Sequence, residues 1–305
     1  MRTVVFAYHN FGVTGLDALL RHGYDVAAVY SHEDDPKEET WFKSVKNFCR
    51  ERGLNVLTPE DPNRPEEVER IRALKPDIIF SFYYRKMLKP AILQIPPQGC
   101  LNLHGSLLPK YRGRAPVNWV LVKGEKETGV TLHYMLEKPD AGDIVGQRAV
   151  AIAVEDTALT LYLKMEKAAA ELLDDVLPKI KTGTQAHLPN RIEQGSYFGG
   201  RKPEDGKIEW TKEAFEIYNL IRAVTHPYPG AFGTLAGEKL LIWRAKPCPA
   251  DHILAPGEIL LDDETVMVGT GAGELQLLEI EFRGRTLQGA DLLEALKSYE
   301  GKSLQ

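Results

Sequence analysis

Residues 77–104 read DIIFSFYYRKMLKPAILQIPPQGCLNLH, and in this stretch two apolar runs flank one segment of helical spacing. The runs at 77–83 and 99–104 have the length of strands, whereas residues 86–95 suit a short helix. Neither run alternates cleanly between apolar and polar residues, so both fit parallel strands buried on two faces. The alternation continues toward the N-terminus. Residues 3–8, 25–30 and 54–57 read as strands, and 12–23, 40–52 and 65–74 as helices, the last with Pro65 in its first turn. Residues 116–123 form a further helix that starts on Pro116. Repeated β and α units predict an α/β domain, doubly wound and Rossmann-like, around a mostly parallel sheet.

Beyond it, residues 129–135 alternate, a DAGD turn follows, and 145–153 read as another strand. Thr157 caps a long helix reaching about Lys181, with Leu159, Leu163, Ala170, Leu173 and Leu177 on one stripe. Residues 183–206 are polar and rich in Gly and Pro, which marks a connection. After a helix at 212–224 come short strand signals at 240–243, 258–261, 265–268 and 274–280. These predict a smaller C-terminal β-barrel, OB-like in character. The expected division is a catalytic domain at 1–189, a linker at 190–209 and the β-barrel-like domain at 210–305.

Composition narrows the function classes. A chain of 305 residues suggests two domains at roughly 150 residues each. A net charge of −5 gives no global case for nucleic acid or an anionic membrane. The three cysteines, Cys49, Cys100 and Cys248, are too far apart for a zinc knuckle and too few for a disulfide framework. The N-terminal MRTVVFAYHN is too short for a signal-peptide core or a membrane span, so a cytoplasmic protein is expected. The sequence leaves the oligomeric state open. No GxGxxG follows the first strand, no GxxxxGK[ST] occurs, and HGSLL around Ser106 is not a GxSxG elbow. None of the eight histidines has metal-ligand spacing with Cys or another His, so no metal is expected.

What stands out is the end of the second run, NLHGSLLPKYRGRAPVNW at 102–119. Residues two apart on a strand share a face, so Asn102 and His104 meet the same side. Open α/β sheets place ligands at the carboxyl ends of their strands. An amide there can donate to a developing oxyanion, and an imidazole can move a proton near neutral pH. A lone histidine reads as a satisfied interior residue. An Asn-x-His pair followed by a Pro/Gly/Arg loop reads as chemistry.

The stretch resembles the signature of the 10-formyltetrahydrofolate-dependent formyltransferases: Asn-x-His, SLLP, an aromatic, Arg-Gly and Ala-Pro. The resemblance extends over nearly the whole chain, through EKPDAGDIV at 137–145 and HPYPGAF at 226–232. It implies an N-formyltransferase with 10-formyltetrahydrofolate as formyl donor. It implies Asn102 as oxyanion donor, His104 as proton relay, and Asp140 as the carboxylate that pairs with His104 and raises its pKa; Asp143 keeps a turn role. It further implies donor contacts from Lys86, Met87, Leu88 and Arg114, and from Leu136, Glu137, Lys138 and Pro139.

For the acceptor, FAYHNFG, FSFYYR and GEKETGVTLH are similar to the branch that formylates the 4-amino group of UDP-4-amino-4-deoxy-L-arabinose, in lipid A modification. The expected partner is thus a small amino-sugar nucleotide, with Asn10, Tyr111 and Arg201 as candidate contacts to its diphosphate. The rival is methionyl-tRNA formyltransferase. Three features lean away from tRNA: the acidic SHEDDPKEETWF at 31–42, RGRAP in place of RGAAP, and no dense basic cluster near the C-terminus. A non-catalytic nucleotide-binding protein has no need of Asn102, His104 and Asp140 together. Transfer to glycinamide ribonucleotide fits poorly with the β-rich second domain.

Overall fold

A computed structural model of the chain describes residues 1–34, 42–251, 253–262 and 264–305. It divides into two compact units. The first comprises Met1–Pro116, Glu127–Ala151 and Tyr162–Gly199; the second comprises Val117–Lys126, Ile152–Leu161 and Gly200–Gln305.

In chain order the first unit begins β1 (Arg2–Ala7), α1 (His9–Arg21), β2 (Asp25–Tyr30), α2 (Val45–Glu51), β3 (Val56–Leu57), α3 (Pro65–Ala73), β4 (Ile78–Phe82), α4 (Pro90–Leu93), β5 (Cys100–His104) and β6 (Arg112–Gly113). After α5 (Pro116–Val122) come β7 (Glu127–Tyr134), β8 (Ile144–Ala151), α6 (Ala158–Thr182) and β9 (Tyr197–Phe198). The main sheet has seven strands in the order β3-β2-β1-β4-β5-β7-β8. The first five are parallel, and β7 and β8 run antiparallel. β4 is buried along its whole length, as its unbroken apolar sequence requires. Val4, Phe6, Ile79, Tyr30 and Ile71 close one core cluster, each fully buried side chain contributing roughly 1.5–3 kcal/mol.

Several elements differ from expectation. α1 starts at His9 rather than 12, because the chain leaves β1 through a left-handed His9 (φ 56) and turns at once into the helix. α2 begins only after Ser44, whose Oγ accepts from the Asn47 N–H at 3.3 Å; part of the expected 40–52 helix lies outside the described residues. The helix expected at 86–95 shrinks to Pro90–Leu93. The buried stripe of α6 runs through Leu161, Met165, Leu172 and Val176 together with Leu173 and Leu177, whereas Leu163 is exposed. The expected linker is structured at Tyr197–Phe198, where β9 pairs with β6 in parallel.

The second unit carries α7 (Ala214–Val224), β10 (Ala231–Leu235), β11 (Glu238–Cys248), β12 (Ile259–Asp262), β13 (Thr265–Gly269), β14 (Glu274–Phe282), β15 (Arg285–Gln288) and α8 (Gly289–Leu296). Its sheet is antiparallel, in the order β10-β11-β14-β13-β12. β15 also pairs with β14: β13 takes the first half of that strand's free edge and β15 the second. The sheet therefore forks at β14, and no ladder joins β10 to β12 among the described residues. β10, β15 and α8 escaped the sequence reading. All three cysteines are free thiols, with Cys49 and Cys100 buried. Among the described residues no helix is long and apolar enough to cross a membrane.

Candidate active site

Sheet register builds the site. β5 pairs with β7 so that Asn102 lies opposite His133 and His104 opposite Thr131. Cross-strand partners share a face, so Asn102, His104 and His133 converge on one side of the sheet. The His133 Nδ1–H donates to its neighbour's carbonyl, Tyr134 O, at 2.8 Å. With the ring neutral, its Nε2 carries the lone pair and accepts from Asn102 Nδ2 at 3.2 Å. This contact fixes which way the Asn102 amide points and leaves its second N–H hydrogen for another acceptor.

His104 is held from the other end. Its Nε2–H donates to the Tyr111 carbonyl at 2.8 Å, which leaves Nδ1 as the bare, basic nitrogen. Nδ1 lies 3.6 Å from Asp140 Oδ1, and His133 Nε2 lies 3.5 Å from the same oxygen. Asp140 Oδ2 accepts from the Gly113 N–H at 2.8 Å. Asn190 Nδ2 donates to the carbonyls of Asp140 (3.0 Å) and Gly142 (3.2 Å), pinning a turn in which Asp140 itself is left-handed (φ 49). Two glycines make this geometry feasible: a Cβ at Gly142 would sit 2.1 Å from Tyr134 O, and one at Gly113 2.2 Å from Phe198 O.

The electrostatics depart from expectation in one respect. Burial pushes His104 below its ordinary value; Asp140 and the Tyr111 carbonyl pull it back up, and burial wins. Asp140 thus raises the imidazole as the resemblance implies, but burial outweighs it, so the ring is neutral at pH 7. Burial alone would raise the Asp140 carboxyl, but the imidazolium that forms at His104 or His133 before the carboxylate can take a proton, together with the Gly113 N–H, holds it well below the usual carboxylate range. The cluster thus offers an amide donor, a neutral base and a fixed negative charge. That set suits addition of a nucleophile to a carbonyl with proton removal.

The loop after β5 is tied to β7 and β8 by side-chain hydrogen bonds. Thr131 Oγ1 donates to Ser106 O (2.6 Å) and accepts from Leu108 N (3.2 Å), while Gln147 Nε2 donates to Leu108 O (2.9 Å). Ser106 is buried, and its hydroxyl donates to Lys110 O at 2.6 Å, which leaves it a loop residue.

Comparison with known proteins matches residues 1–177 to the formyl transferase family and residues 201–297 to the formyl transferase C-terminal domain. The chain belongs to the formyl transferase family. It is an enzyme that moves a formyl group. Among solved structures, an N-formyltransferase from Helicobacter canadensis in complex with folinic acid and dTDP-3-aminofucose superposes with a TM-score of 0.69 at 22% identity, over 90% of this chain and 98% of that one. WlaRD, a sugar 3N-formyl transferase seen with dTDP and 5-N-formyl-THF, gives 0.69 at 21%, over 91% and 97%. HypX from Aquifex aeolicus, in complex with tetrahydrofolic acid, gives 0.62 at 21% over 97% of this chain, which spans about half (48%) of HypX. At these identities the likeness is one of fold.

The donor contacts expected of this formyl transferase fall on residues 86–88, on Arg114 and on residues 136–139, the first and last of these meeting through the core. Leu88 is buried in the same cluster that Met135 packs against, so only its backbone can meet a ligand. Met87 and Leu136 are 52% and 53% exposed, which is unusual for such apolar side chains and leaves two surfaces able to cover a flat ring. Lys86, Arg114, Glu137 and Lys138 are exposed and Pro139 is half-buried.

The expected diphosphate contacts are otherwise engaged. Asn10 is buried; its Nδ2 donates to Glu166 Oε2 at 2.8 Å and its Oδ1 accepts from Lys43 N at 2.8 Å. The Tyr111 ring is buried and stacked on Phe198. Arg201 lies in the second unit, where it donates to Asp205 O at 2.8 Å and covers the Trp119 ring at 4.7 Å. Of the acidic stretch at 31–42, residues 35–41 lie outside the described residues.

Sequence reasoning missed His133. Strand alternation in GVTLHYM places Thr131 and His133 on one face, but only the register against β5 puts His133 opposite Asn102.

Proposed function

We propose that this formyl transferase carries the formyl group of 10-formyltetrahydrofolate to the primary amine of a nucleotide-linked amino sugar, most closely UDP-4-amino-4-deoxy-L-arabinose. The observation that carries the chemistry is the convergence of Asn102, His104 and Asp140, with His104 Nδ1 left basic by the Tyr111 carbonyl. For the acceptor the support is sequence resemblance to the formyltransferase domain of the polymyxin-resistance protein ArnA. The fold shared with sugar N-formyltransferases agrees with it.

In this reading the donor supplies an electrophilic formyl carbon on a nitrogen that leaves with a proton. The acceptor nitrogen bonds to that carbon, and the bond from carbon to the donor nitrogen breaks. The formyl oxygen gains negative charge as the nitrogens exchange, and the uncommitted N–H of Asn102 stabilises it. His104 takes the amine proton at Nδ1 and returns it to the departing nitrogen. Asp140 stabilises the imidazolium in between. Met87 and Leu136 would cover the donor's ring, with the Leu88 backbone at its polar edge. Arg114, and the exposed Lys86 and Lys138 beside Met87 and Leu136 in the sequence, would meet the donor's carboxylates.

The test offers 10-formyltetrahydrofolate with either UDP-4-amino-4-deoxy-L-arabinose or methionyl-tRNA and measures the formylated product. Formyl-sugar without formyl-tRNA is expected. Product only on the tRNA overturns the acceptor, and no product on either overturns the whole reading.

A further inference from the structure

The segment GSYF at 195–198 lies between the two family matches, in a region expected to be linker. It runs alongside the loop that follows β5. Arg112 N donates to Ser196 O and Arg114 N to Phe198 O, both at 3.0 Å. Ser196 Oγ accepts from the Tyr111 N–H at 2.9 Å, and the Phe198 ring stacks on Tyr111 with centroids 5.1 Å apart.

The residues held on this side are the ones that hold the reacting groups on the other. Tyr111 gives its N–H to Ser196 and its carbonyl to His104 Nε2. Gly113 pairs with Phe198 and gives its N–H to Asp140. Tyr111 is left-handed (φ 57), a conformation disfavoured for a residue with a Cβ, so it persists only where its surroundings impose it. The Ser196 hydroxyl and the Phe198 ring are two such impositions.

We propose that Ser196, assisted by Phe198, is a positioning residue for formyl transfer: it aims the Tyr111 carbonyl at His104, keeping the imidazole proton on Nε2 and Nδ1 basic. The proposal rests on the reading of His104 as the base. A carbonyl that swings away removes the acceptor that selects this tautomer. The proton can then move to Nδ1, where Asp140 attracts it, and the base is lost.

The experiment compares the wild type with Ser196→Ala, Ser196→Thr and Phe198→Leu. One readout is the imidazole ¹⁵N shifts of His104 in the protein alone; the other is kcat and KM against pH. The wild type and Ser196→Thr are expected to show His104 protonated on Nε2. In Ser196→Ala a share moves to Nδ1 and kcat drops about tenfold, the rate equivalent of one neutral hydrogen bond, with KM unchanged. Phe198→Leu shows the same shift to a smaller degree and decides the matter if Ser196→Ala does not fold. Unaltered imidazole shifts overturn the proposal, even if melting temperature falls, because a purely structural strap lowers stability without moving the tautomer. The NMR readout needs no substrate. A tautomer change in a protein that forms no formyl-sugar would therefore fault the proposed acceptor and leave the positioning role standing.

Discussion

Replacing Asp140 with Asn removes a charge while keeping a shape. The side-chain oxygen of an Asn can still accept from the Gly113 N–H, as Oδ2 does at 2.8 Å. Its NH₂ would then face His104 Nδ1, where Oδ1 now lies at 3.6 Å. Two losses follow. The new donor competes for the lone pair that should take the amine proton, and the imidazolium loses its counter-charge. Coulomb's law at 3.6 Å with an effective dielectric of about 20 gives roughly 4–5 kcal/mol, a ceiling because the carboxylate charge is spread over two oxygens. At 1.36 kcal/mol per tenfold, that ceiling is about three powers of ten in rate, so kcat should fall by roughly 10²–10³ with little change in KM. The pH profile carries the sign. Burial lowers His104 and Asp140 opposes it, so without the carboxylate the imidazole falls further and the acidic limb moves to lower pH. Initial rates of formyl transfer from pH 5 to 9 check both. A variant within threefold of wild type, with an unmoved limb, would refute the assignment of Asp140 as the imidazolium's partner.

Two further outcomes are expected. Asn102→Ala should cost ~10²–10³ in kcat by removing the oxyanion donor, and steady-state kinetics showing a change in KM alone would contradict that role. Stability should fall on acidification. His9 and His32 have folded pKa values of about 3 and about 4, lowered mainly by burial, with nearby cations adding to it. The unfolded chain therefore binds more protons than the folded one below pH 6.5, so stability present at pH 7 is lost as pH falls toward those values. Each buried neutral histidine contributes up to about 1.4 kcal/mol per pH unit, less for the partly exposed His32. Asp140, whose folded value is depressed, adds to the loss only below about pH 4. Urea denaturation midpoints between pH 7 and 4.5 measure this, and a flat profile would show that neither histidine is buried neutral.

The parts of the fold that follow from local pattern were legible. β4 and β5 lie within a residue or so of their expected bounds because an unbroken apolar run is distinctive, and α3 begins on the proline that marks it. The short elements were not: residues 86–89 have apolar spacing without the backbone bonds of a helix, and Leu88 uses its side chain as core. Likewise Asn102 and His104 could be placed on one face by strand period alone. His133 needs the antiparallel register of β7, and the Tyr111 carbonyl and Gly113 N–H are backbone groups that no residue identity reveals. Asn10, Tyr111 and Arg201 have side-chain chemistry suited to phosphate. The structure engages them with Glu166, Phe198 and Trp119, contacts distant in sequence.

A depressed histidine does not by itself mark the site, since His9 is as deeply buried as His104 and is shifted in the same direction. What separates them is where the lone pairs go. His9 Nε2 meets the Arg85 guanidinium at 3.0 Å, a donor that satisfies it. His104 Nδ1 meets Asp140 Oδ1, and so does His133 Nε2, at 3.6 and 3.5 Å. Asn102 supplies one hydrogen to His133, but between His104 Nδ1 and Asp140 Oδ1 two acceptors face each other with no hydrogen between them. Such an arrangement is unfavourable until a proton arrives, and it is built from residues whose other ends are fixed by the Tyr111 carbonyl and the Gly113 N–H. Formyl transfer between nitrogens must move one proton off the incoming amine and onto the leaving group. A place short of one proton, beside an amide with a spare donor, is what that exchange requires.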